Sequence, residues 1–428
     1  MVNNVLSDVL KIYNKEGKFL VLNPLVPSWI VTNINGVLIL KQLSESKTFE
    51  ETAIVFSERS SKIDKQQVLA YLDKVKDAGL LELEISEKIH KPYTLSTIYF
   101  NMTKLCNLHC LYCFAATRVE HGSDNLEYED YIKLLDFAHK INPHMTIVYT
   151  GGEPLMSPNT IKVAKYAKKL GFTNRILTNA TLIDKHNIEE LADTFDLFKI
   201  SVDGSTKEKH EYYRGTGSYD KTIHAIDLLR KKNKKITVAM VVTRANVSDV
   251  LPMNAKWGEV LEYQPLFPLG RAAETNESIA LTGEEYYNAL SAGEKINPFA
   301  DLGNIIDSHK KSNTIIKCAI GDGEISISCT GDLYPCQLLH NQECLIGNIK
   351  ETSFLELYNS KAMDRFKFNT VEKIDKCKKC DIKYLCGGAC QARHYSETGS
   401  INETGDFCEY EKKGIIDGLL SNAKMIQI

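Results

Sequence analysis

The segment Thr97-Ile-Tyr-Phe-Asn-Met102, followed by Cys106-Asn-Leu-His-Cys110-Leu-Tyr-Cys113, organises the chain. The first six residues, rich in β-branched and aromatic side chains, read as a strand. Three cysteines then stand on the loop that leaves it. Further along, strand candidates at 97–102, 146–149, 175–177, 198–202, 236–242 and 262–266 alternate with helix candidates at 128–140, 161–170, 188–195 and 219–232. That alternation implies an α/β fold with a parallel sheet, either doubly wound or curled into a barrel. The chemically distinctive residues fall just after strands, where barrels place their sites.

Before this region, 19–22 and 29–32 read as strands, with Gly36 as a turn between the second strand and a helix at 37–43. Helices at 49–56 and 66–78 follow, the latter with Val68, Leu72 and Val75 on one face and Gly79 as its stop. Two strands and amphipathic helices make a winged-helix-like pattern, and Lys91-Pro92 marks a linker. After about residue 300 the alternation stops. A hairpin signal at 324–334 gives way to loops dense in Cys, Lys and Gly, a composition that needs staples to fold.

The 428 residues leave room for two or three domains. Lys plus Arg (52) nearly balance Asp plus Glu (55), which argues against nucleic acid or an anionic membrane as partner. No apolar run approaches a membrane span, and Asp8, Lys11 and Lys15 interrupt any secretory signal. A cytoplasmic protein is expected. None of the twelve cysteines precedes Cys106, and nine fall in the last 111 residues. Clustered thiols in a reducing compartment point to metal or catalysis.

Cys106, Cys110 and Cys113 have the order Cys-x3-Cys-x2-Cys, unlike the paired Cys-x2-Cys of zinc knuckles. Three thiolates on one loop can hold three irons of a four-iron cluster and leave the fourth open. With Tyr112, this segment resembles the signature of radical S-adenosylmethionine (SAM) enzymes. Gly151-Gly152-Glu153-Pro154 resembles the family's segment for the SAM amino group, where a carboxylate suits an ammonium. Thr178-Asn179 resembles the ribose-contacting position. Ser201-Val-Asp203 with Arg214 resembles the residues that hold the SAM carboxylate, and Pro268-Leu-Gly270-Arg271 the exit of the family's barrel.

Cys318-x12-Gly331-x4-Cys336, then Cys377-x2-Cys380-x5-Cys386-x3-Cys390 and Cys408, resembles the SPASM domain of peptide-modifying radical SAM enzymes. The resemblance implies a distal auxiliary cluster on Cys377, Cys380, Cys386 and Cys408. It implies a proximal one on Cys318, Cys336 and Cys390. With Ser312 where relatives carry a further Cys, one proximal iron is left open or is filled by Cys329 or Cys344. The rival is a zinc ribbon on Cys377, Cys380, Cys386 and Cys390. Sulfatase-maturing relatives carry an Asp after the position of Cys336; here it is Gln337.

Residues 17–85 resemble the peptide-recognition element of ribosomal-peptide maturation, through Val21-Leu22-Asn23-Pro24, an Asn35-Gly36 turn and Leu80-Leu81-Glu82. Together these resemblances imply three parts: a winged-helix-like leader-binding domain over 1–90, a partial (β/α)6 TIM-type barrel over 91–300, and a SPASM domain over 301–428. They imply SAM and three [4Fe-4S] clusters as cofactors, a precursor peptide as substrate, and flavodoxin or ferredoxin as electron donor. The implied reaction is thioether formation from a peptide cysteine through a 5′-deoxyadenosyl radical. Carbon–carbon crosslinking, other peptide oxidation including sulfatase-type maturation, and a zinc-stabilised binding protein are the alternatives.

Overall fold

A computed structural model of the protein describes residues 9–83, 94–115, 125–291 and 316–428. The Lys91-Pro92 pair, Ser312 and the junctions expected near 90 and 300 lie outside those residues.

The first unit is a sheet of β1 (Lys11–Lys15), β2 (Lys18–Asn23) and β3 (Ser28–Thr32), antiparallel in sequence. Helices α1 (Ile34–Glu45), α2 (Phe49–Arg59) and α3 (Lys65–Asp77) follow. Val21 and Ile30 pack with Ile39, Leu43, Val68, Leu72 and Val75. Gly36 is not a turn. Asn33 caps α1 by accepting from the Gly36 N–H at 3.1 Å, so the helix already includes Asn35 and Gly36. The glycine is needed for room: a Cβ there would stand 2.1 Å from Thr32 Oγ1 and 2.6 Å from the Tyr71 hydroxyl.

The second sheet carries the site. Strands β4 (Thr97–Asn101), β5 (Thr146–Thr150), β6 (Thr173–Thr178), β7 (Leu197–Ser201), β8 (Lys235–Val242) and β9 (Leu261–Pro265) run parallel in chain order. Between and after them lie α4 (Tyr128–Ile141), α5 (Thr160–Lys169), α6 (Ile188–Thr194), α7 (Lys207–Arg214), α8 (Ser218–Lys231), α9 (Val250–Trp257), α10 (Arg271–Ile279) and α11 (Gly283–Ser291). Alternate strand residues such as Ile98, Phe100, Ile147, Tyr149, Ile200, Val238 and Met240 pack against Leu135, Ala138, Val163, Ala167, Ile226 and Leu229 of the helices. The intervening positions, Tyr99, Asn101, Arg175, Lys199 and Glu262, occupy the other face. There Lys199 pairs with Glu262, and Arg175 lies 3.9 Å from the same carboxylate.

The C-terminal hairpin, β10 (Glu324–Ile327) and β11 (Asp332–Tyr334), joins this sheet. β10 lies parallel to β4 with Ile325 opposite Ile98, and β12 (Gly347–Asn348) completes the order β12-β11-β10-β4-β5-β6-β7-β8-β9. Short helical segments lead to α12 (Gln391–Thr398) and α13 (Cys408–Asn422). Leu419 and Leu420 of α13 pack under Leu20, Leu22 and Trp29. β13 (Met425–Ile426) then pairs in parallel with β3, so the end of the chain closes on its beginning. Among the described residues no helix is long and apolar enough to cross a membrane.

Candidate functional site: two thiol groups on one sheet

The loop after β4 brings Cys106, Cys110 and Cys113 to the C-terminal end of the parallel strands. Neighbouring strand ends hold it there. The Gly152 N–H donates to Thr103 O at 2.7 Å and the Glu153 N–H to Leu105 O at 2.8 Å, laying the segment after β5 along the approach to Cys106. This contact explains both glycines. A Cβ on Gly151 would sit 2.5 Å from Thr103 O, and one on Gly152 2.2 Å from Leu105 O.

Glu153 is buried and turned toward β6. It accepts from Thr178 Oγ1 at 2.7 Å and from the Asn179 N–H at 2.9 Å. Burial pushes its carboxyl up to about 7, against the pull of those hydrogen bonds. The Asn179 amide donates to Asn107 Oδ1 at 3.0 Å and reaches Cys106 Sγ at 3.9 Å. Glu153, Thr178, Asn179 and Cys106 thus form one connected set.

A second bracket comes from β7 and α7. Asp203, fully buried, accepts from the Tyr112 hydroxyl, from Arg214 Nε, and from the Val241 N–H at 2.9 Å. Arg214 also donates to the Tyr112 hydroxyl at 3.2 Å and points Nη1 at Cys110 Sγ, 3.9 Å away. Burial works against the Arg214 charge, but Asp203 and Tyr112 outweigh it and keep the guanidinium ionised. Burial raises the Cys110 thiol while Arg214 lowers it. Ser201 ends β7; among the described residues no hydrogen bond links it to Arg214.

A third support comes from Gly270-Arg271, in the segment that resembles the barrel exit. Arg271 Nε donates to Cys110 O at 2.8 Å and its N–H to Cys113 O at 3.1 Å. Gly270 lies so close that a Cβ would stand 2.3 Å from Cys113 O. Gly270-Arg271 therefore clamps the cysteine loop from the far side. The loop opens on a cavity of about 230 Å³ lined by Cys106, Cys113, Gly151, Gly152, Arg271 and Asn101, among others. Asn101 continues the line inward, donating to Ser326 Oγ at 2.9 Å, and Ser326 contacts His340 Nε2 at 2.8 Å. Cross-strand neighbours separated by more than two hundred residues give no local signal.

The C-terminal thiols divide in two. Cys377, Cys380, Cys386 and Cys408 line one cavity of about 200 Å³. Burial, then the neighbouring Cys408 and Cys380, pushes Cys377 up to about 12. Cys390 is not part of that lining. Its charge acts instead on Cys318 and Cys336, with burial the larger cause of their raised thiols; Cys318 stands at about 12. Cys336 also acts on Tyr99 of β4, so it lies on the sheet face that carries Tyr99. Cys344 is buried in the same apolar patch, but its electrostatic neighbours are Arg365 and Glu343. Cys329 is buried near the hairpin turn, its carbonyl accepting from the Leu126 N–H at 2.6 Å.

The residues fit iron–sulfur clusters. Thiolates are the ligands such clusters use, and the thiols fall into groups of three, three and four. Among the described residues no three His, Cys, Asp or Glu side chains converge on a single metal-ion position.

Comparison with known proteins agrees. Residues 100–253 match the radical SAM superfamily and residues 318–381 match SPASM, an iron–sulfur cluster-binding domain. An AdoMet-dependent heme synthase of Oleidesulfovibrio alaskensis is 28% identical over 353 residues, 74% of this chain and 87% of that protein. The antilisterial bacteriocin subtilosin biosynthesis protein AlbA of Bacillus subtilis is 28% identical over 301 residues, 68% of this chain and 66% of that protein. Streptococcus suis SuiB, solved bound to its precursor peptide SuiA, superposes with a TM-score of 0.56 at 16% identity. That match covers 94% of this chain and 99% of that one, a likeness of fold. The chain therefore carries a radical SAM region over 100–253 and a SPASM region over 318–381, and is similar both to a heme synthase and to a bacteriocin biosynthesis protein.

Proposed function

We propose that the protein modifies a ribosomally made precursor peptide, joining a peptide cysteine to a backbone or side-chain carbon as a thioether. The observation that carries the reading is the presence, on one sheet, of two three-thiol sets. One lies on an accessible loop beyond the strand ends. The other gathers around the end of the β10–β11 hairpin, with Cys336 buried near β4.

Cys106, Cys110 and Cys113 would hold the first cluster, leaving one iron for SAM. When bound and reduced, that cluster supplies the electron that cleaves SAM to a 5′-deoxyadenosyl radical. The chain's own residues position the loop. Asn179 and Arg214 face two of the thiols, Arg271 clamps the loop backbone, and Glu153 fixes the two strand ends between which the cofactor would lie. Tyr112, Gly151, Gly152, Glu153, Thr178, Asn179, Ser201, Asp203 and Arg214 form the proposed SAM environment. Cys318, Cys336 and Cys390 would carry a proximal auxiliary cluster. Cys377, Cys380, Cys386 and Cys408 would carry a distal one. A flavodoxin or ferredoxin would supply electrons.

Residues 1–90 would take the leader peptide. Support comes from the exposed outer strand β1, whose backbone can pair with an added strand. A cavity of about 570 Å³ beside α1 and α2 adds to it, mixing Leu38, Phe56 and Ile63 with Lys41, Arg59 and Lys62.

The test is to incubate the reduced, reconstituted enzyme with SAM and a cysteine-containing precursor peptide encoded beside it. The expected product lacks two hydrogens, its cysteine resists alkylation, and 5′-deoxyadenosine accumulates. Loss of two hydrogens with an alkylatable cysteine would mean carbon–carbon crosslinking instead. Absence of 5′-deoxyadenosine above background would remove the enzymatic reading. The relatives named heme synthase favour a second reading, a tetrapyrrole substrate. A haem precursor offered in place of the peptide separates the two.

A further inference from the structure

Three thiols satisfy three irons of a four-iron cluster, and the proximal set has only Cys318, Cys336 and Cys390. We propose that the carboxylate of Glu324 is the fourth, oxygen ligand of that cluster. The inference rests on the cluster assigned above to those three cysteines.

The strand register makes the case. β10 and β11 pair with Ser326 opposite Tyr334 and Ile327 opposite Leu333. β10 also pairs in parallel with β4, Glu324 opposite Thr97 and Ser326 opposite Tyr99, and Cys336 follows two residues after β11 ends at Tyr334. Side chains alternate faces, so Glu324 shares the face of Ser326 and Tyr99, and Cys336 acts on that same tyrosine.

The backbone ties the same residues together. The Gly321 N–H is shared between Glu324 O at 3.1 Å and Pro335 O at 3.0 Å, the latter next to Cys336. The Glu324 N–H donates to Ala319 O at 2.9 Å, next to Cys318. Glu324 therefore stands one residue's reach from two of the three ligands. Its carboxylate is within hydrogen-bonding reach of the Cys336 thiol.

Chemistry agrees with position. A buried carboxylate is costly unless it is paired or bound to metal. Glu324 is half-buried, and among the described residues its hydrogen-bonding neighbour is the Cys336 thiol rather than a lysine or arginine. The two spare thiols are placed less well. Cys344 hydrogen-bonds toward Asn341 and Tyr395 and lies in the field of Arg365. Cys329 is five residues beyond Glu324, on the order of 15 Å along an extended chain. A carboxylate is a harder donor than a thiolate and holds iron more weakly. The iron it ligates would be the one a substrate sulfur can reach by exchange.

The test compares anaerobically reconstituted full-length enzyme with Glu324→Gln, Glu324→Cys and Cys336→Ala, by iron content, Mössbauer and electron paramagnetic resonance spectra. Wild-type enzyme should hold about twelve irons per chain, as three four-iron clusters require. Glu324→Gln should lose about one and show a three-iron signal after oxidation. Glu324→Cys should recover the full count with shifted g-values, which also shows that the hairpin still folds. Full iron and an unaltered spectrum in both Glu324 variants would overturn the ligand assignment. Cys336→Ala separates the two levels. If it removes the proximal signal while the Glu324 variants change nothing, only this inference falls. If it too changes nothing, the cluster assignment falls with it.

Discussion

The two cysteine-bearing regions solve opposite problems. The loop of Cys106, Cys110 and Cys113 is held by the rest of the fold. Asn179 reaches it from the end of β6, Arg214 from the end of α7 and Arg271 from the start of α10, and Gly151, Gly152 and Gly270 let backbone press against it. Cys106 stays exposed. The C-terminal thiols reverse the relation. They lie among short helical segments, many of them buried, and burial raises Cys318, Cys336, Cys377 and Cys386 alike. The first region is a scaffold that can hold a reactive group with one face open. The second is a set of ligands that would itself be the scaffold.

That contrast predicts unequal responses to iron removal, and this is the largest effect expected. A structural metal site can contribute on the order of 10 kcal/mol to folding. Anaerobic chelation should expose residues beyond about 316 to proteolysis while leaving 125–291 protected. Equal protection of both regions, read by mass spectrometry of the fragments, would break the comparison.

Next in size is the bracket at Cys110. Asp203→Ala would leave the Arg214 guanidinium buried without its partner, at about 3–5 kcal/mol. The variant should unfold at lower denaturant and lose SAM-dependent cleavage, while its C-terminal iron stays. Wild-type stability would show that the bracket does not hold the loop.

Gly152→Ala sharpens the point. The added methyl meets the Leu105 carbonyl, and overpacking of this kind costs about 1–3 kcal/mol. Since the displaced backbone leads directly to Cys106, SAM affinity should fall at least tenfold with little change in melting temperature. Unchanged affinity, measured by equilibrium dialysis, would show that the close approach is incidental.

The smallest expected effect is a pH dependence confined to the parallel-sheet region. His210 is buried beside Asp203, whose N–H donates to its Nδ1 at 3.4 Å. Burial, reinforced by Arg214, pushes the imidazole down to about 4. Between pH 6.5 and 4 the unfolded chain binds the proton and the folded one does not, so stability falls as pH falls through that window. Between pH 7.5 and 5.5 wild type should lose on the order of 1 kcal/mol that His210→Gln does not. Equal slopes in denaturant titrations would contradict it.

Local patterns carried much of this fold. Most of the strands from β2 to β9 show as short apolar or alternating runs, and the cysteine spacings delimit both thiol regions. The long-range pairings were not legible. β10 joins β4 across 227 residues, and two residues near the end of the chain pair with β3. No periodicity encodes a partner so distant. Gly36 misled because the residue that permits a turn also permits close approach, and here Thr32 and Tyr71 need the space. The contacts of Arg271, His340 and Glu324 were not legible for the same reason. Each acts through a neighbour that only folding supplies.

The central claim is that the thiols of Cys106, Cys110 and Cys113 hold an iron–sulfur cluster with one iron free for SAM. It is tested most directly by the electron paramagnetic resonance spectrum of the reduced, reconstituted enzyme before and after SAM is added. The account predicts a component whose g-values shift on SAM addition in wild type, and which is missing when all three cysteines are alanine. A spectrum indifferent to SAM, or identical in the triple variant, would contradict it.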